Sequence, residues 1–426
     1  MFPESPSSKP SFVRILEFEA WSFLSPSLCC RAFSGNKMEY RISDRASSLT
    51  PSATLAIDAK ARELRASGID VVGFGTGQPD FDTPDFIKEA AKKALDDGFT
   101  KYTAAAGTPE LRQAIADKFK RENGLDYEFT QIVVSCGGKH SCYNIMMALC
   151  QAGDEVIIPA PYWLSYPEMV KLAGATPVFV ETTDATEFKI TPDQLRAAIN
   201  DNTRLFILNS PSNPTGTVYT PDEVKALGDV CVEKGVMILS DEIYEHLLYD
   251  GAVHKSVASF SPEHQAHTIV THGFAKAWSM TGWRLGFIAA PLQIAKKISA
   301  IQSHSTSNPT SFAQVGAVAA LSQPMDHLVG WLEEFAKRRS YSFDRLNSIP
   351  GVDCCKAKGA FYLFPKISDT GLSSSEFCSR LLEEQNVAAV PGIAFGSDEY
   401  FRLSYATSME QIEKGLDRIE TFCKSI

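Results

Sequence analysis

TIVTHGFAKAWSMTGWRLGFIAA, residues 268–290, holds two short apolar runs, 268–271 and 284–290, joined by a loop that carries one lysine. Both runs are too short for a helix and lack polar alternation, the pattern of strands buried on both faces. Gly273 ends the first run, and Ala275, Lys276 and Ala277 follow between Phe274 and Trp278. An ammonium in that company is half buried. Burial disfavours its charged form and lowers its pKa, which makes the amine a nucleophile able to condense with an aldehyde. A solvated surface lysine is the ordinary alternative. Arg284, eight residues on, tilts the choice, because a permanently charged fork beside such a lysine suits an aldehyde that also carries a phosphate.

Five more runs of the same kind precede this stretch: 131–135, 155–159, 176–180, 204–209 and 236–241, separated by helical stretches. Seven buried runs alternating with helices predict an α/β fold with a large, mostly parallel seven-stranded sheet sandwiched by helices. Ligands of such sheets sit at the carboxyl ends of the strands, so the residues just after each run carry the candidate chemistry.

After 131–135 come Gly137, Gly138 and Lys139, glycines leading into a helix whose first N–H groups can hold a phosphate. Trp163 follows the second of these runs and can stack on a flat ring. Asn213 stands between two prolines that fix its direction. Asp241 closes the run at 236, with Tyr244 three residues on. Singly each has a plain explanation: Trp163 in the core, Asp241 a helix cap, Asn213 a turn residue, Tyr244 a rim aromatic. Together those explanations must set a ring-stacker, an amide, an acid, a phenol, a lysine and an arginine at successive strand ends by accident.

Before the sheet, the spacing predicts a helix over 54–67, a strand over 69–74, a tight loop at GTGQPDFDTP (75–84), and a helix starting at Thr108-Pro109 and stopped by Gly124. After it come a long helix over about 331–346 and strands at KGAFYLFPKI (358–367) and 400–405. Arg402, flanked by apolar residues, reads either as a strand's exposed face or as an anchored carboxylate binder, and in isolation the exposed face is the simpler reading.

The chain is long enough, at 426 residues with 44% hydrophobic, for a big core and more than one lobe. A net charge of −10 without a Lys/Arg block argues against nucleic acid or acidic membranes as partners, and no apolar run reaches the length of a membrane span. Ten cysteines without CxxC or metal-ligand spacing predict reduced thiols, a cytoplasmic setting and no metal site. Residues 1–37 contain eight serines, four prolines and three glutamates without a sustained period, so they are expected to be a disordered leader or extension, with Met38 a candidate start.

The motifs PSATLAI, GQPDFDTP, KYTAAAGTPELR, GGKH, PYWLSYPEM, NSPSNPTG, SDEIYEHLLY, FAKAWSMTGWRLG, KGAFY and FRLSYAT occur in an order that resembles the class I, fold-type-I pyridoxal-phosphate aminotransferases, most closely the bacterial branch of aspartate aminotransferases. The resemblance runs from about Met38 to the C-terminus. It implies a large cofactor-binding domain over 86–320 and a smaller α/β lobe built from both chain ends, 38–85 and 321–426. It implies that Lys276 forms the Schiff base with pyridoxal 5'-phosphate, Asp241 pairs with the pyridine nitrogen, Asn213 and Tyr244 bond the ring oxygen, and Trp163 stacks on the ring. Arg284, Gly138 and Lys139 would hold the phosphate, joined by Tyr102 of a second subunit in a homodimer. Arg402 and Gly77 would take the substrate α-carboxylate, and Lys139 the distal carboxylate of aspartate or glutamate, with 2-oxo acids as the partner substrates. Alternatives are a prephenate, aromatic or alanine aminotransferase, or a carbon–sulfur lyase on the same fold. Two departures stand out: Gly273 where many relatives have a phosphate-binding serine, and Thr50 where relatives that take prephenate carry a lysine.

Overall fold

The computed structural model describes residues 40–426, so the expectations about residues 1–37 and Met38 lie outside the described residues. Residues 43–426 form one compact unit. Its strands are β1 Val72–Gly73, β2 Ile132–Ser135, β3 Glu155–Ala160, β4 Thr176–Glu181, β5 Thr203–Asn209, β6 Met237–Asp241, β7 Thr268–Gly273, β8 Gly286–Ala289, β9 Tyr362–Leu363, β10 Val387–Ala388, β11 Val390–Pro391 and β12 Phe401–Ser404.

All seven predicted runs become strands of one sheet in the order β2-β8-β7-β6-β5-β3-β4. The four pairings among β3 to β7 are parallel, while β8 runs antiparallel to both β7 and β2. That reversal positions the site. Because β8 starts beside the ends of β2 and β7, with Gly286 opposite both Ser135 and Gly273, the loop entering β8 joins the carboxyl ends of the parallel strands. β7 and β8 are buried at every position, as runs without polar alternation require.

The helix Pro109–Lys118 begins as predicted, with Thr108 Oγ1 capping and Pro109 in the first turn, and ends through a π-helical turn at Gly124 in the left-handed conformation. The helix predicted over 54–67 spans Ala53–Ala66, and the long later helix starts at Asp326, five residues before its predicted start. One small sheet unites the chain's ends, β1 pairing with β10, and β11, β12 and β9 form a second ladder within the C-terminal part. The strand expected over 358–367 shrinks to two residues. Lys358 and Gly359 N–H groups instead donate to Gly216 O at 2.9 and 2.8 Å, and Ala360 N–H to Leu247 O at 2.9 Å. The segment thus latches onto the loop after β5 and the turn after β6.

Candidate active site

The strand ends open onto a cavity of about 670 Å³. Ten of the eleven predicted site residues line it: Gly77, Gly138, Lys139, Trp163, Asn213, Asp241, Tyr244, Lys276, Arg284 and Arg402. Tyr102 does not, and its side chain is 90% exposed. Arg62 and Arg65, from the helix Ala53–Ala66, bring the lysines and arginines lining the cavity to six, beside His272, against one acid, Asp241. None of the six makes an ion pair with a carboxylate among the described residues.

One end of the cavity gathers groups able to hold an anion. The helix Gly138–Leu149 follows β2 directly, its first N–H groups free of intrahelical partners. Arg284, in the left-handed conformation, lays its guanidinium against Gly137, where a Cβ would fall 2.5 Å from Nη2. Its Nη1 donates to Thr281 O at 2.9 Å, which leaves further N–H bonds for a ligand. Gly286 is glycine for steric reasons, since a Cβ there would meet Gly138 N at 2.2 Å. At Gly273 a Cβ would sit 3.0 Å from Gly286 Cα and Leu285 O, so a side chain at that place requires the neighbouring strand to give way.

At the other end is Arg402. The reading of it as an exposed strand face is corrected: Arg402 is 2% exposed, because β12 lies between layers and is buried at all four positions. Its Nη1 donates to Asn213 Oδ1 at 3.0 Å and its Nη2 to Gly75 O at 2.7 Å, while Nε has no partner. A buried guanidinium without a carboxylate is costly, so this position calls for an anionic ligand.

Between them lie Lys276 and Asp241. Lys276 Nζ donates to Gly77 O and stands 5.3 Å from the Tyr244 ring centre. Burial first, then the nearby Arg402, push its pKa down to about 7, with Asp241 opposing and Arg284 adding. Asp241 is pushed up to about 6 by burial, against hydrogen bonds from Tyr166 Oη at 2.6 Å and Ile243 N–H. A buried acid with a raised pKa is short of a cationic partner. Lys139 Nζ hangs 5.2 Å over the Trp163 ring, its pKa lowered by burial and by Arg284. Asn213 is fixed from behind, its N–H donating to Asn209 Oδ1 at 2.9 Å, and Tyr244 Oη pairs with Tyr362 Oη at 2.9 Å.

Several contributors were not anticipated as site residues. Tyr166 stands three residues after Trp163 within PYWLSYPEM, and Tyr362 within KGAFY packs its ring 4.6 Å from the Arg402 guanidinium carbon. Asn209, the last residue of β5, donates to Asp241 O at 3.0 Å. All three lie inside the quoted motifs PYWLSYPEM, KGAFY and NSPSNPTG, so the signal was present in the sequence without being read.

The arrangement is an amine of depressed pKa, a buried acid, a helix N-terminus with an arginine beside it, and a buried guanidinium without a carboxylate partner, around one cavity. The family model for aminotransferase class I and II matches residues 69–419. The chain is 50% identical over 390 residues to an aspartate aminotransferase of Geobacillus stearothermophilus, covering 90% of this chain and 99% of that one. It is 48% identical over 396 residues to an aspartate/prephenate aminotransferase of Cereibacter sphaeroides, covering 90% of this chain and 99% of that protein. Among solved structures, the aspartate aminotransferase from Thermus thermophilus with maleate superposes with a TM-score of 0.87 at 41% identity, covering 91% of this chain and all of that one. The chain belongs to the class I and II aminotransferases.

Proposed function

We propose that this enzyme transfers the amino group of L-aspartate to 2-oxoglutarate, giving oxaloacetate and L-glutamate, with pyridoxal 5'-phosphate as cofactor. The observation that carries the reading is the charge balance of the cavity: six lysines and arginines without ion-pair partners among the described residues face one buried acid. A phosphate, an α-carboxylate and a distal carboxylate supply the missing negative charge, and the names of the relatives point the same way.

When bound, the cofactor's pyridine ring supplies an electron sink. Arg284 and the N–H groups at Gly138 and Lys139 would hold its phosphate, and Lys276 would hold its aldehyde carbon. Asp241 would keep a proton on the ring nitrogen, Asn213 and Tyr244 would bond the ring oxygen, and Trp163 would stack on the ring. Arg402, beside Gly77, grips the α-carboxylate with a paired fork. Lys139 reaches the distal carboxylate. Lys276 Nζ, poised near neutrality, takes the Cα proton of the substrate and returns it.

The exposed Tyr102 hydroxyl supports a homodimer in which that residue reaches the partner's phosphate site. The pairing of β1 with β10 supports a small lobe of 38–85 and 321–426 beside a large domain of 86–320. No helix among the described residues is long and apolar enough to cross a membrane, and their eight cysteines are free, which fits a cytoplasmic enzyme.

A panel of amino donors with 2-oxoglutarate as acceptor tests the reading. Aspartate is expected to be the best donor, with oxaloacetate formed in step with glutamate. A preference for alanine or phenylalanine, or pyruvate and ammonia released without an acceptor, overturns it. Arg62 and Arg65 add cationic reach at the cavity, so prephenate belongs among the acceptors as the second reading.

A further inference from the structure

The turn after β6 has two chemical faces. Asp241 and Tyr244 line the cavity, whereas Glu242 and Glu245 point away from it into a buried cluster of charges that the proposed reaction does not use. Glu245 is its centre. Lys118, fully buried at the end of the helix Pro109–Lys118, donates to Glu245 Oε1, and Asn123 Nδ2 donates to Oε2 at 2.8 Å. His272 Nε2 lies 3.0 Å from Oε1, and His246 and His254 stand at 3.5 and 3.8 Å. Glu242 is held by Ser240 and Ser256 hydroxyls at 2.7 Å each and by His254 at 3.1 Å. Two sets of three side chains converge closely enough to hold a metal ion, but the Lys118 ammonium already occupies the carboxylate they share.

His272 makes the cluster relevant to the cavity. Its ring stacks on Phe287 in the core, its backbone belongs to the end of β7, and it stands four residues before Lys276. The Glu242 N–H also donates to Thr271 O at 3.0 Å on the same strand. We propose that Glu245 is a positioning residue: held from behind by Lys118 and Asn123, with His272 Nε2 3.0 Å away, it fixes the turn that presents Asp241 and Tyr244 and ties that turn to the strand leading to Lys276. This inference rests on the proposed reading of the cavity as a pyridoxal-phosphate site. A buried charge hub suits the task, since its partners come from separate elements and any displacement of the turn leaves a desolvated charge unpaired.

The test is Glu245→Gln in the full-length protein, which keeps the shape and removes the charge. Pyridoxal 5'-phosphate affinity is measured by equilibrium dialysis, alongside kcat and KM for aspartate and the melting temperature. Misplacement of the acid and phenol is expected to weaken cofactor binding and lower kcat by on the order of ten- to a hundredfold, with KM nearly unchanged. His272→Asn, a milder cut of the same link, is expected to move both quantities in the same direction by less, and serves alone if Glu245→Gln fails to fold. A lower melting temperature with cofactor affinity and kcat as in the wild type makes the cluster a stability element only and overturns the proposal. If the wild type itself does not bind the cofactor, the reading of the cavity falls first and this proposal with it.

Discussion

The two faces of residues 241–246 place similar side chains in opposite electrostatic situations. On the back face, burial alone would raise the Glu245 carboxyl, but Lys118, His272 and His246 outweigh it and hold the group well below the usual range. Glu122 nearby is likewise brought down to about 2, its burial outweighed by His246 and Lys118. On the cavity face the same burial wins: Asp241 rises to about 6 and Lys276 falls to about 7. Each carboxylate of the back face has a cationic or imidazole partner within this chain, while the lysines and arginines of the cavity face have no carboxylate partner among the described residues. Charges that a fold needs for itself come with partners, and charges kept for a ligand do not.

The comparison breaks most visibly at Lys276. Lys276→Ala removes both the amine that holds the cofactor and the proton carrier, so turnover should fall by roughly 10⁴-fold or more while the fold persists. Normal turnover in that variant, measured with aspartate and 2-oxoglutarate, contradicts the assignment.

Arg402→Ala comes next. It strips the α-carboxylate of a buried, charged, two-pronged partner, a loss of about 3 to 5 kcal/mol, or roughly two to four orders of magnitude in kcat/KM for every amino donor. Lys139→Ala should be selective and smaller. One charged hydrogen bond to a distal carboxylate is worth about 1.5 to 3 kcal/mol, so aspartate and glutamate should lose about ten- to a hundredfold and alanine little. A uniform loss, or none, sinks the role of Lys139 in choosing acidic substrates.

The smallest effect sharpens the contrast through pH. Because Asp241 keeps its proton up to about 6 when folded and loses it at the ordinary 3.8 when unfolded, the native apo-protein binds more protons than the unfolded chain between those values. Its contribution to stability therefore falls as pH rises through that window. Asp241→Asn should stabilise the apo-protein relative to wild type above pH 6, by roughly 3 kcal/mol at most, and hardly at all below the window. Glu245 has the opposite sign: its stabilisation is present above its unfolded pKa and is lost as pH falls, so Glu245→Gln should flatten the acid limb of the unfolding curve. Melting curves of the three apo-proteins from pH 3 to 8 check both signs.

Much of this was legible in the sequence, for identifiable reasons. Most of the seven sheet strands stood out because strands buried on both faces must be short, apolar and uninterrupted, while β4, at the sheet's edge, is partly exposed and was found by its apolar run alone. The reversed direction of β8 was not legible, since an apolar run carries no arrow. Trp163, Asn213, Asp241 and Lys276 could be found because they follow strands, where such sheets expose backbone and side chains to a ligand. Arg402 was misjudged in isolation because its burial is imposed by layers packed on both sides of β12, which no local pattern records. Lys118 closes an ordinary amphipathic helix and meets Glu245 only through tertiary packing, so the back cluster was invisible until the chain was folded.

The most direct test of the account is to load the full-length protein with pyridoxal 5'-phosphate, reduce it with borohydride and locate the pyridoxyl group by peptide mass spectrometry. The account predicts one modified residue, Lys276, with labelling suppressed when Lys276 is replaced by alanine. A label on Lys139 or another lysine instead, or no label at all, contradicts the claim that the cavity's unpaired charges are arranged around Lys276 to hold this cofactor.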